Sequence, residues 1–228
     1  MQFRQQSDMR MKQVWLLRFL VVVALIYGPA RHSDAAPPAG ETISPAALGN
    51  WQEQSFKGRT DYRVEDGGQG PALHATAHDS ASGLCQSVRI DLQTLPIAQW
   101  NWRLDRAPPR TDERGKDGDD QGLRVSFLYQ PGATPDSALA IQYIWSQNES
   151  EGASWSNAYV QNAYEVVARS GPAIPGEWRT ERRDLAADFR AAFGRAIDRI
   201  DAICLMTDGD QTGALVEGWY GDITLQAR

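Results

Sequence analysis

The residues best suited to chemistry are carboxylates gathered in two glycine-broken turns. "GKDGDD" (115–120) sets Asp117, Asp119 and Asp120 beside Lys116, and "DGDQTG" (208–213) sets Asp208 and Asp210 beside Thr212. Like charges crowd together only where water, backbone donors, a cation or a hydroxyl-rich ligand offsets their repulsion. Paired carboxylates could cleave a glycosidic bond, which needs them ~5–5.5 Å apart for retention or ~6.5–9.5 Å for inversion. Asp120 with Asp208, and Asp119 with Glu181, are the pairs to weigh. Asp208, Asp210 and Thr212 also alternate as the opening of a calcium loop does. An EF-hand, however, needs a glutamate at the twelfth position, where Trp219 stands. Two readings stay open: Asx-type turns that satisfy backbone N–H groups, or a different Ca²⁺ site on Asp208 and Asp210, shared with Asp119 and Asp120. No motif calls for any other cofactor. G-x-S-x-G, P-loop and H-E-x-x-H are all absent from the sequence, which sets aside serine hydrolases, nucleotide binding and zincins.

The segments that must position these turns are strands. Leu123, Val125, Phe127 and Tyr129 alternate with Arg124 and Ser126 immediately after the first turn, the period of a half-buried strand. Trp100, Trp102 and Leu104 share one face of their segment, as do Leu139, Ile141, Tyr143 and Trp145 of another. "RIDAICLMT" (199–207) is apolar on both faces and reads as a central strand ending in the second acidic turn. Short strands with turn chemistry between them predict an all-β antiparallel sandwich of jelly-roll or carbohydrate-binding-module shape. One helix interrupts: Asp184 caps "LAADFRAAF", with Leu185, Phe189, Ala192 and Phe193 as its apolar stripe and Gly194 as its stop. It is expected to plug one end of the sandwich or lie across a sheet.

Neighbouring strands would gather both acidic turns at one pole, where loops hold ligands. Arg124 and Lys116 lie close enough along the chain to pair with Asp119 or Asp120. Trp155, in the polar stretch "SQNESEGASWSNAY", stands beside Asn148, Ser154, Ser156 and Asn157. A flat apolar face flanked by amides and hydroxyls suits a sugar; the alternative is a tryptophan tucked into the core to anchor its loop.

The N-terminus has a different character. Arg4, Arg10, Lys12 and Arg18 precede or enter the apolar run Val14–Ile26, and small residues follow. That is a secretory signal, expected to span residues 1–35, with a linker over 36–48 and one domain over 49–228. Five of the 23 basic and two of the 29 acidic residues lie in the first 35, so the mature chain would carry 18 against 27, a net charge of −9. Such a surface repels phosphate backbones, which argues against nucleic acid as a partner. Beyond the signal no apolar stretch is long enough to span a membrane. The expected compartment is the periplasm or the exterior. There Cys85 and Cys204 could bridge or remain buried thiols, depending on whether their strands are neighbours.

The ordered set "TDYRVED", "SASGL", "WNWRLD", "KDGDDQGLRVSFLY", "YIW", "WRTERRDLAADFRAAFG", "MTDGDQTG" and "YGDITL" resembles the bacterial exported family catalogued as domain of unknown function 3047. The resemblance implies an exported β-sandwich of lectin-like shape with no assigned activity. It directs interest to Lys116, Asp119, Asp120, Arg124, Trp178, Arg183, Asp188, Asp208, Asp210 and Thr212. The expectation is a non-catalytic module that binds a glycan or cell-envelope polysaccharide. The alternative is a glycoside hydrolase or polysaccharide lyase working through the paired aspartates. Ligand contacts are expected from Lys116, Asp119, Asp120, Arg124, Trp155, Asn157, Arg183, Asp208, Asp210 and Thr212.

Overall fold

The computed structural model describes residues 40–132, 134 and 137–228. The expected signal segment and cleavage site, and the first residues of the expected linker, lie outside the described residues. Two sheets face each other. The first has the order β11-β6-β13-β4-β3, built from β3 (Asp61–Asp66), β4 (Pro71–His78), β6 (Ile97–Arg106), β11 (Arg179–Asp184) and β13 (Leu215–Gln226). The second runs β2-β5-β12-β7-β8-β10-β9, from β2 (Gln52–Lys57), β5 (Ala81–Asp91), β7 (Arg124–Tyr129), β8 (Leu139–Ser146), β9 (Ser154–Ser156), β10 (Ala163–Ser170) and β12 (Arg199–Asp208). Among the described residues all pairs are antiparallel except β8 with β10. One more strand, β1 (Gly40–Ile43), lies inside the stretch expected as linker and pairs with the C-terminal half of β13. The domain therefore begins at or before Gly40, because backbone pairing extends that far. No helix among the described residues is long and apolar enough to cross a membrane.

The alternating residues meet between the sheets. Trp100, Trp102, Phe127, Tyr143, Ile203 and Leu205 are all buried there, and the Trp100 ring lies 5.1 Å from that of Tyr143. β12 is central, paired with β5 on one side and β7 on the other. Both of its faces are apolar because Ile203 and Leu205 pack in the main core while Ala202 and Cys204 pack in a second buried cluster. Cys85 and Cys204 are opposed residues on β5 and β12, with Cα atoms 4.2 Å apart, and they form a disulfide.

The helix α1 (Leu185–Phe193) starts where expected. Asp184 accepts a hydrogen bond from the Ala187 N–H, and Gly194 closes the helix at φ 68°. Leu185 and Phe189 are buried against the pole at which β6 and β12 begin. The acidic turns lie at the other pole, where β12 ends and β7 begins.

Candidate functional site at the acidic pole

The two acidic turns hold each other. Asp120, 1% exposed, accepts from the Gln211 N–H (3.1 Å), the Thr212 N–H (2.8 Å) and the Thr212 hydroxyl (2.5 Å). In return, Asp208 Oδ1 accepts from the Gln121 N–H at 3.1 Å. The second turn is tight: a Cβ on Gly209 would meet the Ala214 carbonyl oxygen at 2.7 Å, so glycine is required there. Backbone donors thus satisfy much of the acidic cluster.

Arg124 supplies the positive charge. It leaves β7 on the face turned away from the sandwich interior, beside Met206 of β12, and is 5% exposed. Its Nη2 donates to Gln121 Oε1 and lies 3.6 Å from Asp119 and 3.9 Å from Asp208. Gln121 in turn donates from Nε2 to Asp119 at 2.9 Å. Burial works against the guanidinium charge, yet Glu165, Asp119 and Asp208 outweigh it and hold Arg124 above its ordinary range. The carboxyls respond to the same burial. Asp208 rises well above the usual carboxylate range, and Asp119 rises too, despite the pull of Arg124.

Glu165 completes the network. It is fully buried on β10; Asn157 Nδ2 donates to its Oε1 at 2.7 Å, and its Oε2 has no partner among the described residues. Burial pushes Glu165 up to about 7, against the pull of Arg124. A raised carboxyl keeps a proton in the folded chain that the unfolded chain releases, so its contribution is complete below pH 4.5 and lost as pH rises through 7. Unfolding free energy is therefore expected to fall by up to roughly 3 kcal/mol across that window on this group's account. Urea melts at stepped pH should show the slope, and Glu165→Gln should flatten it. An unchanged slope in the variant would remove Glu165 as its source.

Above Asp119, Arg124, Met206 and Asp208 opens a cavity of about 60 Å³, walled by Phe56 of β2 and by Tyr159. Arg124 is one of the lining residues, and its Nε, itself buried, has no acceptor among the described residues. One oxygen each from Asp120, Asp208 and Asp210 lies within 4.8 Å of the others. Such a set could hold a hard cation, but Asp120 is already engaged by three loop donors and Arg124 already stands beside Asp208. The donor set fits neutralisation by arginine better than by Ca²⁺.

The remaining expected site residues are dispersed. Lys116 places its ammonium 5.3 Å from the centre of the Tyr159 ring. Trp155 is half-buried on the edge strand β9 with the Arg114 guanidinium 5.0 Å from its ring centre, so it is neither in the core nor in the cavity lining. Asn157 is buried, its Oδ1 accepting the Tyr159 and Val160 N–H groups at 2.9 Å; it shapes the loop and supports Glu165. Arg183 forms a two-pronged pair with Asp188 at 2.8 and 2.9 Å. It lies on β11, near the helical pole and far along the fold from the aspartates. Trp178 donates to the Gly67 carbonyl at 3.0 Å on the other sheet. Glu181 Oε1 accepts from Trp102 (3.1 Å) and Arg169 (2.8 Å) at that sheet's edge.

Glu165, Phe56 and Tyr159 escaped the sequence reading. A lone acid inside the apolar run "AYEVVA" was the available signal for Glu165. Phe56 and Tyr159 meet only through the sheet order, and nothing local marks them.

Fold and site define a β-sandwich with a loop-pole pocket. The chain belongs to the family described as Protein of unknown function (DUF3047), whose model matches residues 49–224. No curated protein matches the sequence. Among solved structures it is similar to the family 11 carbohydrate-binding module from Clostridium thermocellum in complex with a β-1,3-1,4-mixed-linked tetrasaccharide. That match has 11% identity and a TM-score of 0.47, covering 84% of this chain and 98% of that one. It is also similar to the Emp47p carbohydrate recognition domain, with 13% identity, TM-score 0.43 and coverage of 78% and 88%. TmCBM61 in complex with β-1,4-galactotriose matches at 9% identity and TM-score 0.37, covering 80% and 92%.

Proposed function

We propose that this protein is an exported, non-catalytic glycan-binding module whose ligand docks at the acidic-pole cavity. The observation that carries the reading is the lining. Two aromatic walls, Phe56 and Tyr159, stand beside the buried polar floor of Asp119, Arg124 and Asp208. A sugar presents apolar faces and hydroxyls that both donate and accept, so this combination suits it. Export rests on the basic and apolar N-terminal segment, and the disulfide belongs to an oxidising compartment. Hydrolysis suits the site less well. The cavity of about 60 Å³ is far below the roughly 300–1,000 Å³ of pockets that engulf a ligand. The aspartates there also spend their oxygens on loop donors. The ligand therefore rests across the mouth and inserts only an edge.

A glycan-array screen of the purified domain, with reducing-end release measured on each hit, tests this directly. Binding without release is expected, and Phe56→Ala or Tyr159→Ala should weaken it by roughly tenfold, about 1.4 kcal/mol. Release of reducing ends would instead establish an enzyme, and silence across the array would defeat the glycan reading.

A further inference from the structure

Resting on that reading, we infer that the domain carries a second glycan site, on its side between β2 and β3, which takes neutral sugars. The topology builds it. β2 ends one sheet and β3 ends the other, so among the described residues no strand covers this side of the sandwich. Two chain crossings close its ends: residues 44–51 lead into β2, and residues 58–60 lead from β2 to β3. Thr60 pins the second crossing, its N–H donating to Ser82 Oγ at 2.8 Å and its hydroxyl to the Thr207 carbonyl at 2.9 Å. Between the crossings lies an open pocket of about 510 Å³, with Leu48, Trp51, Glu53, Arg59, Tyr62 and Leu84 in its lining. That capacity falls within the roughly 300–1,000 Å³ of small-molecule sites.

The floor is carbon. Trp51 and Leu84 belong to the main core, and Tyr62 packs against it. Both rings have their polar tips engaged elsewhere: Trp51 Nε1 donates to the Ser44 carbonyl at 3.1 Å, and the Tyr62 hydroxyl to the Ser82 carbonyl at 2.6 Å. Those bonds fix the rings, and what the rings offer a ligand is apolar surface.

The mouth both donates and accepts. Glu53 lies opposite Leu84, on the inward face of β2, and Arg59 donates to both of its oxygens. Asp61 accepts from Arg63 at 3.1 Å. Arg59, Asp61 and Arg63 are exposed, so these pairs are weakly held and open to new partners, and their charges cancel. A sugar ring has C–H faces for the aromatic floor, and hydroxyls that accept from the guanidinium and donate to the carboxylates. An acyl chain would desolvate the same charged groups and return no hydrogen bond. A uronate would add a negative charge to a mouth whose charges already balance.

Proton NMR titration of the purified domain with cellobiose, xylobiose, mannobiose, digalacturonate and dodecanoate, each in turn, reads the two pockets separately. At least one neutral disaccharide is expected to shift the Trp51 and Tyr62 ring protons saturably, and more tightly than digalacturonate does. The paired Glu53→Ala, Arg59→Ala variant should weaken that process by roughly tenfold or more while leaving any shift at Phe56 and Tyr159 unchanged. Shifts confined to Phe56 and Tyr159 would overturn the second site and leave glycan binding at the acidic pole intact. Shifts confined to Trp51 and Tyr62 would uphold the second site and remove the acidic-pole one. Shifts at Trp51 and Tyr62 that persist undiminished in the variant, or that only dodecanoate produces, would overturn the inference. If no disaccharide moves either set of rings and no glycan binds on an array, the underlying reading fails as well.

Discussion

Replacing Arg124 by methionine is expected to destabilise the folded domain by about 3–5 kcal/mol at neutral pH, the cost of stranding buried charges. The side chain is 5% exposed and faces Asp119, Asp208 and Glu165, all buried. Methionine fills similar space beside Met206 but leaves those carboxyls without their cation and Gln121 Oε1 without its donor. The loss should shrink as pH falls, because the stranded carboxyls can then take up protons. Wild-type stability should be indifferent to EDTA, since arginine and backbone donors neutralise the cluster. Chemical denaturation of both proteins at two pH values checks this. A loss independent of pH would mean that Arg124 acts by packing alone. A fall in wild-type melting temperature with EDTA would restore the Ca²⁺ reading of Asp208 and Asp210.

The second large effect belongs to the disulfide. Cys85 and Cys204 are 119 residues apart in sequence and adjacent in the sheet. Closing so long a loop restricts the unfolded chain by about 4–5 kcal/mol on the chain-entropy account. The paired Cys85→Ala, Cys204→Ala variant should therefore melt roughly 8–20 °C below the wild type, at the 2–4 °C per kcal/mol typical of domains this size. Calorimetry with and without reductant separates the bond from the residues. Reduced wild type should match the double variant, and a reduced protein melting unchanged would show that hydrogen bonding between β5 and β12 suffices without the bond.

Local pattern carried far in this chain. Period-two alternation gave the interior faces of β6, β7 and β8, and the Asp184 and Gly194 caps bounded α1 at its observed ends. The two-sided apolar character of residues 199–207 marks β12 as a central strand without reference to its neighbours. Pairing between strands was not legible. Whether Cys85 opposes Cys204 depends on which strands adjoin, and so does the meeting of Phe56 with Tyr159 across the cavity. β1 escaped for a related reason: the proline- and alanine-rich stretch before it reads as linker, and only pairing with β13 makes Gly40–Ile43 a strand. The acidic turns were visible as chemistry because crowded carboxylates demand compensation, and Asp120 and Asp208 receive it from each other's loops. Arg183 had an equally suggestive motif, but its carboxylate partner is Asp188 on the helix that follows.

The central claim is that a glycan engages the cavity through Arg124. The most direct measurement follows the Arg124 side-chain Nε–H resonance by NMR while an oligosaccharide identified on the array is titrated in. That resonance is expected to shift, together with the ring protons of Phe56 and Tyr159, in proportion to occupancy. Shifts that instead map to the Trp155 edge or to the β3–β4 face, with Arg124 Nε–H unmoved, would contradict the account.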